Sequence, residues 1–214
     1  SFGGGFVIRA GTFAVGGSAG SLVSGLSTAE DVAKSIRDNT PTDLSGINRA
    51  TLQQMGISNA TIKAFLEHPA ISPTNQTVIT ASLRKLGRAG GREDFLKMVL
   101  ACQDATDVLF FQRIAGMMET YHSKVSPVKQ VLNLYGLPAI HAGNDALVVP
   151  LSIDYGWWTA DGDRLSAAIA NYQPAVNISQ RILYVSGTVS PLAKEQLADR
   201  GFLVSDNASA SLYR

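Results

Sequence analysis

The sequence carries a single cysteine, Cys102, among 214 residues. An intramolecular disulfide is excluded, and so is a cysteine-rich zinc site. Charge is scarce as well: 16% of the residues are charged, 18 basic against 17 acidic, for a formal net charge of +1. No global field gathers nucleic acid or an anionic membrane, although a local patch stays open. Long apolar runs are missing. The longest candidate, Val108 to Met118, is interrupted by Gln112 and Arg113 and falls short of the ~18 apolar residues of a spanning helix. His68, His122 and His141 form neither His-x-x-x-His nor His-Glu-x-x-His, so no sequence-local metal pair exists. These deficits predict neither a metal nor a cofactor. No fixed-period repeat is visible.

What is present is a folding composition. Apolar residues make up 45% of the chain, enough for one large core or two small ones. The modest charge and abundant Ser, Thr, Asn and Gln lean toward a periplasmic or extracellular protein, with the cytoplasm as the alternative. A chain that begins at Ser1 rather than methionine reads as a processed form or a fragment.

Residues 1–26 are glycine-rich and follow neither a helical nor a strand period, which predicts an irregular arm. Residues 27–126 read as helical. Ser27 with Glu30 makes a capping box, Pro41 ends that first helix, and short helices follow at about Arg49 to Met55 and Asn59 to His68. Ser72-Pro73 opens a helix to Leu86, a further one spans about Arg92 to Gln103, and Asp104 caps a longer one to about Ser123. That last helix is apolar on most sides, which makes it the central helix of this half.

After Pro127 the period changes, and residues 127–206 read as a small α/β domain, with 207–214 as a tail. Leu137 to Ala142 and Ala146 to Ser152 are apolar runs joined by Gly143-Asn144-Asp145, a hairpin signal. Thr159 or Asp161 caps a helix that Pro174 ends. Arg181 to Ser186 is β-branched and aromatic, Ser190-Pro191 opens another helix, and Phe202 to Ser205 is a last strand. The expected fold is α/β, α+β overall: a helical N-terminal half, then a small mixed sheet in the order β-β-α-β-α-β with three strands parallel. Residues 27–206 can form one compact unit.

In such a sheet, ligands gather beyond the carboxyl ends of the parallel strands. Two candidate segments lie there. The first carries Asp154, Tyr155, Trp157 and Trp158; adjacent residues cannot both face one core, so one indole is expected near the surface, where it can stack on a ligand or a partner. The second carries Ser186, Gly187, Thr188 and Ser190 before a helix N-terminus, a place whose hydroxyls and N–H groups suit an anion, or simply a cap.

Catalytic patterns are poorly matched. Gly16-Gly17-Ser18-Ala19-Gly20 has the letters of a nucleophile elbow without a strand before it. Cys102 sits among Val99, Leu100 and Ala101, like a small core hydrophobe. Ser1 has the position of an N-terminal nucleophile, but glycines rather than a strand follow. The segment Ile47 to Lys63, with Gly56-Ile57-Ser58 at its centre, resembles the helix-hairpin-helix. That family's Gly-h-Gly hairpin presents N–H groups to DNA phosphate, so the resemblance implies nonspecific nucleic-acid contact. Here Ser58 replaces the second glycine and few basic residues flank it. The leading expectation is a non-enzymatic binding or interaction protein, recognising a protein or a small molecule at Asp154, Tyr155, Trp157, Trp158, Ser186, Gly187 and Thr188. The rivals are an enzyme, hydrolase or transferase, at the same strand ends, and a weak nucleic-acid binder.

Overall fold

Residues 29–174 and 176–208 are described by the computed structural model of the chain. The glycine-rich arm, Ser1, the Gly16 to Gly20 pattern, the Ser27 cap and residues 209–214 lie outside them.

Six helices come first: α1 (Ala29–Asp38), α2 (Pro41–Gln54), α3 (Asn59–Leu66), α4 (Pro73–Lys85), α5 (Arg92–Val99) and α6 (Ala105–Lys124). Their starts follow their caps. Ser58, Ser72 and Asp104 each accept a backbone N–H two or three residues on. Pro41 departs from the sequence expectation, because it opens α2 instead of ending α1. Thr40 is its N-cap and forms a reciprocal capping box with Asp43, and a proline at the first helical position has no N–H to lose. α5 is shorter than expected: it stops at Val99, and Leu100 to Cys102 form turns that lead to the Asp104 cap.

The sheet has five strands in the order β1 (Val128–Leu134), β2 (Leu137–Ala142), β3 (Ala146–Leu151), β5 (Gln180–Val185) and β7 (Phe202–Ser205). β1–β2 and β2–β3 are antiparallel, while β3, β5 and β7 run parallel, joined through α7 (Ala160–Ala170) and α8 (Pro191–Ala198). The mixed sheet with three parallel strands is therefore as the sequence reads. β1 is an addition to it. Its buried positions are Val128, Val131 and Leu134: a register shift between Val128 and Gln130 keeps Val128 and Val131 in one core, while Leu134 is buried on the other face, and a strand bulged in this way loses the period of two that reveals strands.

Alternation along the strands gives the sheet two apolar faces. Ile140, Val148 and Tyr184 join a core built with Leu52, Phe65, Ile79, Phe95, Ile114 and Met118 from α2 to α6. Ala139, Leu147, Val149, Val185 and Phe202 face Ile169 of α7 and Ala193 and Leu197 of α8. Helices on both faces enclose the middle strands, and each fully buried Leu, Ile or Phe here contributes about 1.5–3 kcal/mol. Both crossovers step the same way along the strand order, so α7 and α8 share a face. The order never reverses, and the crevice that a reversal opens between helices on opposite faces does not arise.

The two halves meet at a tight junction. Gly90 donates to the Lys129 carbonyl at 2.9 Å and accepts from Val131 N at 2.8 Å, which adds a bridge outside β1. Gly91 has φ +73°, and a Cβ on it would stand 1.9 Å from the Val131 carbonyl oxygen, so only glycine fits.

Candidate functional site

The strand ends carry a small second ladder. β4 (Tyr155–Gly156) and β6 (Thr188–Val189) pair in parallel, Tyr155 opposite Thr188 and Gly156 opposite Val189. Thr188 N donates to the Asp154 carbonyl and Ser190 N to the Gly156 carbonyl, both at 2.8 Å. Gly187 makes this approach possible, since a Cβ there would lie 2.0 Å from the Asp154 carbonyl oxygen. The residue after β7 joins in: Asn207 N donates to the Gly187 carbonyl at 2.6 Å, and the Thr188 hydroxyl lies 3.3 Å from Asn207 Oδ1. The three strand ends form one hydrogen-bonded ridge.

The hydroxyls of the second segment are engaged inside it. Ser186 Oγ donates to the Ile153 carbonyl at 2.9 Å, and Ser190 Oγ accepts from Ala193 N as the cap of α8. The Asp206 carboxylate receives Val189 N at 3.3 Å and Lys194 Nζ at 2.6 Å. The bonded Lys194 ammonium holds the Asp206 carboxyl below the ordinary carboxylate range, with Val189 N–H adding to the effect. A carboxylate thus occupies a donor that an incoming anion would need.

The tryptophans divide as an extended backbone requires. Trp158 turns inward, half-buried against the α7 and α8 core, with the Arg200 guanidinium 4.9 Å from its ring centre. Arg200 also pairs with Asp163 of α7 and bonds the Gln196 carbonyl of α8, so the indole sits under a cation held on both sides. Trp157 turns outward and is 64% exposed, beside Tyr155 at 51%. Their ring centres are 6.4 Å apart and their planes 31° from parallel. Asp154 is exposed too and lies in the bend just before β4. The structure brings Tyr155, Trp157 and Thr188 to one face and leaves Ser186 and Trp158 as supports beneath it.

A concavity away from the strand ends was not foreseen from the sequence. A cleft of about 490 Å³ opens between the α3–α4 and α5–α6 loops, lined by His68, Pro69, Ala70, Leu100, Cys102, Gln103, Asp104 and Ala105. Cys102, His68 and Asp104 together suggest a thiol nucleophile with a base and an orienting acid. The electrostatics oppose it: burial first, then the carboxylates of Asp107 and Asp104, push the Cys102 thiol up to about 12, whereas a reactive cysteine needs its thiolate near neutral pH. His68 Nδ1 accepts Ala70 N, and the Asp104 carboxylate caps α6. Each group serves the local backbone. Among the described residues, no group of three or more His, Cys, Asp and Glu is placed to hold a metal.

α2 and α3 are joined by a tight turn, with Gly56 at φ +78° and Ile57 buried. Its polar groups are engaged from within the protein. Glu93 of α5 accepts the Ser58 and Thr61 hydroxyls at 2.7 Å each and Ser58 N at 3.3 Å. Those bonds, the Ser58 hydroxyl first, hold the Glu93 carboxyl below its ordinary range. Arg92 ties the same turn by donating to the Met55 and Gly87 carbonyls.

Comparison with known proteins finds no match. No family model fits the chain, and neither a curated protein nor a solved structure matches it.

Proposed function

We propose that the protein is a non-enzymatic binding module whose recognition surface is the Tyr155 and Trp157 pair on the strand-end ridge. The observation that carries this reading is the adjacency of two large aromatic rings, both more than half exposed. Single exposed apolar residues such as Tyr135 need no explanation. Two together, one on the β4–β6 ladder and one just after it, are different, because Tyr and Trp supply large contact area at small loss of side-chain freedom and dominate recognition surfaces. Their base is already ordered by the β4–β6 pairing, so little further ordering opposes binding.

Hydroxyl-radical footprinting of the purified protein, with and without an extract of the cells that make it, tests this reading. Tyr135, 63% exposed and set on the β1–β2 turn, is the internal control. Protection of Tyr155 and Trp157 but not of Tyr135 supports a recognition surface. Unchanged reactivity of all three contradicts it.

A further inference from the structure

We infer that the occupant of this surface is an arginine side chain presented by a partner protein, its guanidinium lying on the exposed Tyr155 and Trp157 rings within the field of the Asp154 carboxylate. The inference rests on the reading of the pair as a recognition surface and adds the chemistry of the partner.

The charge of this part of the chain points to a cation. From Ser152 to Asn207 the sequence carries six Asp and Glu against four Lys and Arg, within a chain whose net charge is +1. The four bases are engaged locally. Arg164 pairs with Asp161, Lys194 with Asp206 and Arg200 with Asp163, while Arg181 donates to the Tyr172 carbonyl. Asp154 is exposed, and among the described residues its carboxylate has neither an ion pair nor a hydrogen bond. Its backbone is held all the same, because its carbonyl accepts Thr188 N at 2.8 Å and Gly187 packs against it. An unpaired carboxylate on an ordered backbone beside a recognition surface selects for a cation and against an anion.

The rings select in the same sense. The face of an aromatic ring carries the negative part of its quadrupole and attracts a cation, Trp most strongly, and Tyr155 and Trp157 are 51% and 64% exposed. The attraction of Asp154 extends ~8 Å at physiological salt, and Tyr155 is the next residue, its α-carbon ~3.8 Å away. A guanidinium on the Tyr155 ring therefore lies in that field even without touching the carboxylate. Of the two basic side chains arginine fits better, because its guanidinium is planar and weakly hydrated and stacks on a ring, whereas the lysine ammonium is a compact, strongly hydrated point charge. An uncharged partner would cover the surface and leave Asp154 without a counter-charge.

The test titrates the wild-type protein with an acetylated Ser-Arg-Ser-Arg-Ser peptide amide and follows the two indole N–H signals by NMR, assigned with Trp157→Phe. The Trp157 signal is expected to move to saturation while that of half-buried Trp158 stays, and added salt is expected to weaken the binding. The same peptide with citrulline for arginine, equal in shape and uncharged, is expected to move neither signal, and the lysine peptide to bind more weakly. Asp154→Asn and Tyr155→Leu are each expected to weaken the arginine peptide about threefold. Asp154→Asn keeps the backbone carbonyl that Thr188 N bonds, and its Trp158 signal reports whether it folds; if it does not, Tyr155→Leu and the salt dependence decide. No saturable movement with the arginine peptide, equal affinity for the citrulline or lysine peptide, or affinity unaltered in the folded variants overturns the inference. Failure of the arginine peptide while cell extract still protects Tyr155 and Trp157 from radicals means that the partner's chemistry is wrong and the surface stands; loss of both removes the surface as well.

Discussion

The α-carbon of Gly187 packs so closely on the Asp154 carbonyl that a Cβ would stand 2.0 Å from its oxygen. This contact closes the ridge that carries Tyr155 and Trp157. Gly187→Ala must push the β4 and β6 segments apart, at a penalty of about 1–3 kcal/mol for overpacking. A melting curve checks it: the midpoint is expected to fall by several degrees, with Tyr155 and Trp157 losing their fixed spacing. An unchanged midpoint contradicts the packing described.

Glu93 makes a second prediction, about pH. Its carboxyl is held below the ordinary range in the folded protein, so its contribution is fully present above the unfolded value and is lost as pH falls through the folded one. Stability measured by denaturant titration is expected to decline from the ordinary carboxylate range downward, and Glu93→Gln is expected to flatten part of that decline. The magnitude is roughly 1 kcal/mol, since the group is partly solvated. Wild-type and variant curves that remain parallel through the acid range contradict the clamp.

The same clamp predicts weak DNA affinity. Ser58 N and the Ser58 and Thr61 hydroxyls are taken by Glu93, and the net charge of +1 supplies no compensating field. A salt-dependent mobility shift at submicromolar protein, abolished by Lys63→Glu, is the contrary result.

Cys102 is expected to be inert. With its thiol pushed up to about 12 and the residue only 5% exposed, iodoacetamide at mildly alkaline pH should label it after denaturation and scarcely before. Rapid labelling of the folded protein contradicts the burial.

The tryptophans predict opposite stability effects. Trp158→Ala removes an indole packed between the α7 and α8 core and Arg200, and is expected to destabilise by about 3 kcal/mol. Trp157→Ala removes an exposed ring and should leave the midpoint within a few degrees. Equal losses from both contradict the inward and outward assignment.

The sequence made visible the features that local chemistry decides. Ser72-Pro73, Asp104, Thr159 and Ser190-Pro191 cap the helices where caps of these types should, and the parallel order β3, β5, β7 follows from helices set between apolar runs. The parity of Trp157 and Trp158 required one ring to face out. It did not say which, because that depends on how β4 pairs with β6. Contacts distant in the chain stayed hidden: Glu93 reaches Ser58 across 35 positions, and Gly187 meets Asp154 only once β4 and β6 align. β1 was hidden by its bulge, and Pro41 carries the same letter whether it stops one helix or opens the next.

The most direct test of the recognition surface compares radical footprints of wild type and Trp157→Ala, each with and without cell extract. The account predicts protection of Tyr155 by extract in the wild type and its disappearance in a Trp157→Ala variant that melts normally. Tyr155 equally reactive with and without extract in the wild type, or protection that survives Trp157→Ala, would contradict it.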